Sequence, residues 1–206
     1  MDQLDYTYTH TMLAGTFGWE HQPSSVALIG LGGGSMSRWI ERHGNVSQLD
    51  VVELSPEVLA AAGCFGVRES GVVRVVEGDG RRYLTQVSPG TYDAVLVDAF
   101  DPYGVPACLR TQQFLATAAR ALTPTGVLVM NSWSAEAGDI VAGARRVFSH
   151  VVVGSSPNEA NVLIVAAQQE LRPGAGVEAW AREAQWREPE KGGVPRQDTK
   201  ACRVAH

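Results

Sequence analysis

Val26-Ala27-Leu28-Ile29-Gly30-Leu31-Gly32-Gly33-Gly34-Ser35-Met36-Ser37 reads as strand, tight turn and helix. A short apolar run ends in a cluster of glycines, and Arg38-Trp39-Ile40-Glu41-Arg42 continues with a helical pattern. Glycines at such a junction let the chain turn sharply and let a ligand approach bare backbone. Gly30, Gly32 and Gly34 form G-x-G-x-G, but Ser35 stands where the dinucleotide fingerprint wants a third glycine or alanine. Taken alone, the turn is equally an ordinary strand–helix junction, so the residues around it decide its meaning.

Working outward, strands and helices alternate. A helix is expected over 6–17, and Pro23-Ser24-Ser25 turns into the first strand. Strands are expected over 26–30, 48–53, 72–77, 92–98 and 127–131. Helices are expected over 35–43, from Ser55-Pro56-Glu57 onward, and over 81–86, 111–122 and 137–149. Ser55 can cap and Pro56 is tolerated at a first helical position. Ala94-Val95-Leu96-Val97 is apolar throughout, which suits a central parallel strand covered on both faces. Thr123-Pro124-Thr125-Gly126 reads as a turn. Stretches 150–153 and 161–167 read as strands joined by Gly154-Ser155-Ser156-Pro157-Asn158, a link short enough for a hairpin and too short for a crossover. The expected architecture is an α/β, Rossmann-like, doubly wound and mostly parallel sheet ending in an antiparallel hairpin. One domain is expected over 1–170, followed by a segment over 171–206 with a helix over 177–186 and a polar tail.

The chain has 206 residues, 45% of them hydrophobic and 19% charged, and a formal charge of −5. It carries no basic stripe, so no nucleic-acid footprint is indicated. An acidic site suits a cationic ligand better than an anionic one. Cys64, Cys108 and Cys202 are widely spaced, without a C-x-x-C pair, and are expected to be free thiols in a reducing compartment. Met1-Asp2-Gln3-Leu4-Asp5 lacks the features of a signal peptide, and no apolar run has membrane-spanning length. A cytoplasmic protein without membrane contact and without a bound metal is expected.

Ligands of doubly wound sheets bind outside the carboxyl ends of the strands, where the strand order reverses. At those ends stand the glycines, then Glu53, then Asp79 between Gly78 and Gly80, then Asp98 and Asp101, then Asn131-Ser132-Trp133. A carboxylate after the second strand can accept hydrogen bonds from both hydroxyls of a ribose. Asp79 can accept from an adenine amine or cap the next helix. Two acids without a third glycine for a pyrophosphate point to an adenosyl ligand lacking a diphosphate, such as S-adenosylmethionine, with NAD as the rival. Asp98 closes a buried strand, where an unpaired charge is costly, so it should have a partner, and a cationic ligand would serve.

Asp98-Ala99-Phe100-Asp101-Pro102-Tyr103-Gly104-Val105-Pro106 resembles the D-x-x-D-P-x-G-x-P loop of the spermidine synthase family. The glycine turn, Glu53, Gly78-Asp79-Gly80 and Tyr8-Thr9-His10-Thr11-Met12-Leu13 follow in that family's order, so the resemblance covers roughly 6–165. It implies the S-adenosylmethionine-dependent methyltransferase fold and transfer of an aminopropyl group from decarboxylated S-adenosylmethionine to an amine or polyamine acceptor. It further implies Gly30, Gly32, Gly34, Glu53, Asp79 and Gly80 around the donor, and Asp98 as general base. Asp101 would anchor the polyamine, with Tyr8, His10, Tyr103 and Trp133 around the acceptor. Three departures are visible. Gly34-Ser35 stands where the family has an aspartate for the donor's amine. The family's tyrosine ahead of His10 falls on Thr9, with Tyr8 one place off. The family's small N-terminal β domain, which contributes to assembly, is expected to be missing, and the resemblance leaves a homodimer and a monomer as alternatives. The sequence resembles the short branch of the family. A methyltransferase on the same fold and a non-catalytic adenosyl-nucleoside-binding protein are the alternatives.

Overall fold

The computed structural model describes residues 4, 7–155 and 161–174. The expected helix over 177–186 and the tail lie outside the described residues. In chain order the elements are α1 (Thr7–Phe17), β1 (Ser25–Ile29), α2 (Ser35–His43), β2 (Gln48–Glu53), α3 (Pro56–Ala62), β3 (Val73–Glu77), α4 (Gly80–Gln86), β4 (Tyr92–Val97), α5 (Gln112–Ala121), β5 (Leu122–Trp133), α6 (Ser134–Ala144), β6 (His150–Ser155) and β7 (Asn161–Ala167). Short 3-10 turns follow α3 and precede α5.

The seven strands form one sheet in the order β3-β2-β1-β4-β5-β7-β6. β1 to β5 run parallel, and β7 returns antiparallel between β5 and β6. Side chains alternate across the sheet with the strand period of two. Val26, Leu28, Ala94, Leu96, Val127 and Val129 face α1 and α2 through Met12, Leu13, Met36 and Ile40. Ala27, Ile29, Val95, Val97, Leu128 and Met130 face α4, α5 and α6 through Leu84, Phe114, Leu115 and Ile140. Helices therefore cover both faces, and Ala94 to Val97 are fully buried, as an apolar run at the middle of a parallel sheet requires.

Three elements differ from their expected extent by more than one residue at an end. β5 starts at Leu122 and absorbs the stretch read as a turn. A register break between Tyr92 and Ala94 opens the ladder there, and β7 pairs only from Val127 onward, so Pro124 sits where its missing N–H leaves no ladder bond unmade. α6 runs from Ser134 to Ala144, beginning directly at the end of β5 and both starting and ending earlier than the expected 137–149. β6 extends through Gly154 and Ser155. From 168 to 174 the chain stays on the same body: Leu171 packs against the core, and Pro173 pairs with Trp19 as an isolated bridge. Cys64 is an exposed free thiol, whereas Cys108 is disulfide-bonded, which corrects the expectation of free thiols for that residue.

A buried polar cluster inside the sheet was not anticipated. Asp50 on β2 is 1% exposed and receives Arg74 on both oxygens, with Tyr92, Tyr83 and Gln48 adding further donors. Burial pushes the Asp50 carboxyl upward, but these hydrogen bonds outweigh it and hold the group below its ordinary range. The cluster ties β2, β3, β4 and α4 together.

Candidate functional site at the carboxyl edge of the sheet

β1 lies between β2 and β4, so the strand order reverses beside it. The carboxyl ends of four strands are stitched by backbone hydrogen bonds just past the ladder. Gly78 N–H donates to Glu53 O, Gly30 N–H to Val52 O, and Asp98 N–H to Ile29 O. Gly30, Glu53, Asp79 and Asp98 therefore leave adjacent strands along one edge, with the backbones of Glu53 and Asp98 about two strand spacings, roughly 10 Å, apart.

The glycine turn is built from below. Gly30 has φ +98°, and a Cβ there would fall 2.3 Å from the carbonyl oxygen of Asp98. Gly34, also left-handed, would meet Val67, and Gly80 would meet Ile29 at 2.2 Å. Gly32 and Gly33 face open space and are exposed. Glu53 braces the turn, Oε2 accepting from Leu31 N–H at 2.8 Å and Oε1 from Ser55 N–H at 2.8 Å. Each oxygen keeps one lone-pair direction for a further donor. Arg38 Nη1 holds the outer side of the turn through the carbonyls of Gly33 and Phe65. Asp79 caps α4: its Oδ1 accepts from Arg81 N–H and Arg82 N–H, and the capping leaves Oδ2 unused. The two readings of Asp79, cap and ligand acceptor, are thus compatible in one side chain.

Asp98 follows β4 and retains limited solvent contact. Its Oδ1 accepts from Asn131 Nδ2 at 2.8 Å and its Oδ2 from Tyr8 Oη at 3.2 Å. Burial pushes the carboxyl above its usual range, and the bonds from Asn131 and Tyr8 oppose that rise without cancelling it. Tyr8, one place off in the sequence comparison, thus reaches Asp98 from α1. Asn131 was noted only as a strand-end residue, and its bond to Asp98 could be foreseen only from the pairing of β4 with β5.

After Asp98 the chain closes into a tight turn. Asp101 and Gly104 exchange backbone hydrogen bonds at 2.9 and 3.1 Å, and Asp101 Oδ1 accepts from Tyr103 N–H at 2.7 Å. Asp101 is exposed, so the two carboxylates of the loop differ: one is held in a packed network and the other sits on an open turn. Gly104, at φ +119°, lies over the carboxylate of Glu136, where a Cβ would come within 2.2 Å of Oε1. Glu136 Oε2 accepts from Val105 N–H at 3.1 Å, and Oε1 lies 3.9 Å from Arg110 Nη1. Sequence reading missed Glu136 because α6 was expected to begin only at Ala137. The available signal was an acid in the first turn of a helix.

Glu136→Ala is expected to destabilise the fold by roughly 1–3 kcal/mol, because the buried Val105 N–H loses its acceptor. Amide exchange at Val105 should accelerate while exchange in β1 does not. Glu136→Gln, which keeps a carbonyl acceptor, should show less of both effects; equal exchange in the alanine variant and the parent would remove Glu136 from the loop's support.

Among the described residues, the exposed large apolar side chains Leu54, Phe65, Phe100, Tyr103 and Trp133 all lie around this edge. The Phe100 and Trp133 rings stand 5.6 Å apart, and Tyr103 is 88% exposed. His10, on α1, is exposed as well. The described residues contain no cluster able to hold a metal ion, and no helix among them is long and apolar enough to cross a membrane.

Comparison with known proteins agrees with this architecture. Residues 7–138 match the spermine/spermidine synthase domain model. A polyamine aminopropyltransferase of Chromobacterium violaceum is 36% identical over 135 residues, covering 65% of this chain and 51% of the relative. Spermidine synthase 1 of Datura stramonium is 36% identical over 136 residues, covering 61% of this chain and 44% of the relative. The chain thus spans about half the length of these curated relatives. A solved probable spermidine synthase from Corynebacterium glutamicum superimposes with a TM-score of 0.80 at 20% identity, covering 99% of this chain and 84% of that one. Human methyltransferase-like protein 13, solved with SAH, superimposes at 0.74 with 24% identity, covering 96% and 98%. At such identities the solved structures establish the Rossmann-like methyltransferase fold. The family match spans the α1 segment, the glycine turn, Glu53, Asp79 and the loop from Asp98 to Pro106, and the chain belongs to the spermine/spermidine synthase domain family.

Proposed function

We propose that the protein is an aminopropyltransferase that takes decarboxylated S-adenosylmethionine as donor and a small amine or polyamine as acceptor. The observation that carries this reading is Asp98. It is a desolvated carboxylate at the strand-order reversal, held by Tyr8 and Asn131, at the head of the family's D-x-x-D-P-x-G-x-P loop. In this reading Glu53 receives the ribose hydroxyls on its remaining lone pairs, and Asp79 receives the adenine amine on Oδ2. The open side of Gly32 and Gly33 lies against the donor. The acceptor amine donates to Asp98, its distal ammonium faces Asp101, and Tyr8, His10, Tyr103 and Trp133 border its path. A cation beside aromatic faces is favourable.

The chemistry follows from these roles. A protonated amine has no lone pair with which to attack. Asp98 orients it and takes its proton. The nitrogen then forms a bond to the aminopropyl carbon attached to sulfur, the C–S bond breaks, and the electron pair stays on sulfur as methylthioadenosine leaves. The sulfonium is a good leaving group, so alignment of the two reactants supplies much of the remaining acceleration. Cytoplasmic small molecules as both reactants, and a soluble enzyme acting on them, form part of the same proposal.

Titration calorimetry with decarboxylated S-adenosylmethionine, S-adenosylmethionine and methylthioadenosine tests the donor. Tightest binding of the decarboxylated donor, with methylthioadenosine released in the presence of a diamine, is the expected result. Gly34-Ser35, where the family has an aspartate, makes the opposite preference informative: tight binding and methyl transfer from the carboxylated donor would replace this reading with a methyltransferase.

The pH dependence carries a definite sign. Catalysis needs ionised Asp98, and burial raises its pKa, so kcat/KM should fall on acidification at a pH above the ordinary carboxylate range. Folding favours the protonated form of this group, so the stability that protonated Asp98 contributes is lost as pH rises through its raised pKa. Activity and this part of stability should therefore change in opposite directions. An acid limb at the usual aspartate pKa would contradict the assignment.

A further inference from the structure

β7 runs against β5, so its first residue arrives at the carboxyl edge where the parallel strands end. That residue is Asn161, half-buried and paired with Trp133 in the ladder. Asn131 pairs with Leu163, which places Asn161 diagonally beside Asn131 on the same face of the sheet. Asn161 Nδ2 donates to Asn131 Oδ1 at 2.9 Å, and Asn131 Nδ2 donates to Asp98 Oδ1 at 2.8 Å. Asn131 is 1% exposed, so water cannot readily replace either bond.

A primary amide has a donor end and an acceptor end. Asp98, when ionised, only accepts, so Asn131 must show it the NH2 group. The Asn131 carbonyl then points at residue 161 and needs a donor there. An acceptor at 161 would attract the Asn131 NH2 group instead and would turn the amide's oxygen toward the Asp98 carboxylate. We infer that Asn161 is a positioning residue: by donating to Asn131 it fixes which end of that amide faces Asp98, and so maintains Asp98 as an ionised base. The inference rests on the role proposed above for Asp98, but the hydrogen-bond relay itself does not. Among the described residues, three elements besides its own loop bring polar groups toward Asp98. Tyr8 donates from α1, β5 and β7 present the two amides, and Asp101 on the same loop turns Oδ1 to Tyr103 N–H. His10 is on α1 two residues from Tyr8, about 200° around the helix, and is exposed.

Asn161→Asp keeps the shape of the side chain and, when ionised, removes its ability to donate. Asn161→Ala removes the donor without adding charge. The Asp98 carboxyl titration is followed by 13C NMR in the parent and both variants, assigned with Asp98→Asn, alongside the pH profile of kcat/KM and calorimetry with methylthioadenosine. The expected result is an upward shift of the Asp98 titration by about one unit or more in Asn161→Asp, a tenfold change in its ionisation equilibrium. The shift should be smaller in Asn161→Ala. The acid limb of kcat/KM should move by the same amount, and nucleoside affinity should stay within about twofold. Unchanged Asp98 titration in Asn161→Asp overturns the inference, as does an equal loss of nucleoside affinity and turnover without a shift. A shifted titration in a protein that transfers no aminopropyl group leaves the relay standing and rejects the proposed reaction.

Discussion

Asp98→Asn is expected to lower aminopropyl transfer by roughly 10²–10⁴-fold, the usual worth of a positioned general base. Affinity for methylthioadenosine should remain within about twofold, because the proposed nucleoside contacts are Glu53, Asp79 and the glycine turn rather than this side chain. The substitution is close to isosteric. The carbonyl oxygen of the introduced amide can still accept from Asn131 Nδ2, and only the bond from Tyr8 must adjust. Stability supplies a second and independent sign. Ionised Asp98 is desolvated, and burial raises its pKa, so the charge opposes folding near neutral pH. Replacing it by a neutral amide should leave the melting temperature equal or higher at neutral pH. That difference should shrink as the pH is lowered through the raised pKa, where the parent's carboxyl also becomes neutral. Turnover within about tenfold of the parent would remove Asp98 from the chemistry. A variant markedly less stable at neutral pH would mean that the carboxylate is held for structure instead.

Much of this site could be read before any coordinates, and the reason is topological. In a parallel sheet every strand delivers its last residues to the same edge, so Glu53, Asp79 and Asp98 could be placed on one edge from the alternation of strands and helices alone. The residues that were missed arrive by other routes. Asn161 comes from a strand running the opposite way, so its first residue, not its last, reaches the edge. Glu136 comes from a helix that starts at Ser134 rather than at the expected Ala137, and it reaches the loop through Val105 N–H. Asp50 lies within an otherwise apolar strand, where a charge is explained only by partners on β3, β4 and α4 that local sequence does not reveal. The beginning of β5 was misread for a related reason. Thr123-Pro124-Thr125-Gly126 has turn composition, and only the open register beside Tyr92 makes it acceptable as strand. Local propensity and the strand-end rule thus recover what a residue does for its own element. Side chains that act across elements need the pairing itself.

The glycine turn allows that distinction to be measured, and Gly30→Ala should have the largest structural effect. Two costs coincide at Gly30. The left-handed φ costs a residue with a Cβ about 1–2 kcal/mol. The Cβ would also fall 2.3 Å from the Asp98 carbonyl oxygen, a backbone atom that cannot rotate away. Relieving that overlap should cost about 1–3 kcal/mol more and separate the ends of β1 and β4. Urea unfolding should therefore report a loss of roughly 2–5 kcal/mol, the sum of the two. Turnover should fall further than nucleoside binding, because the displaced backbone carries Asp98. Gly32→Ala meets nothing within 4 Å and keeps only the conformational cost of φ +53°. Gly33→Ala carries neither cost, being at an ordinary φ and facing open space. If a nucleoside lies against that open face, Gly33→Ala should weaken its binding while leaving unfolding unchanged. Stability falling in the order Gly33, Gly32, Gly30, with Gly33→Ala alone losing affinity at no cost in stability, would separate a turn shaped for a ligand from one shaped only for the fold. Gly33→Ala with full affinity would mean that the donor does not lie against this part of the turn.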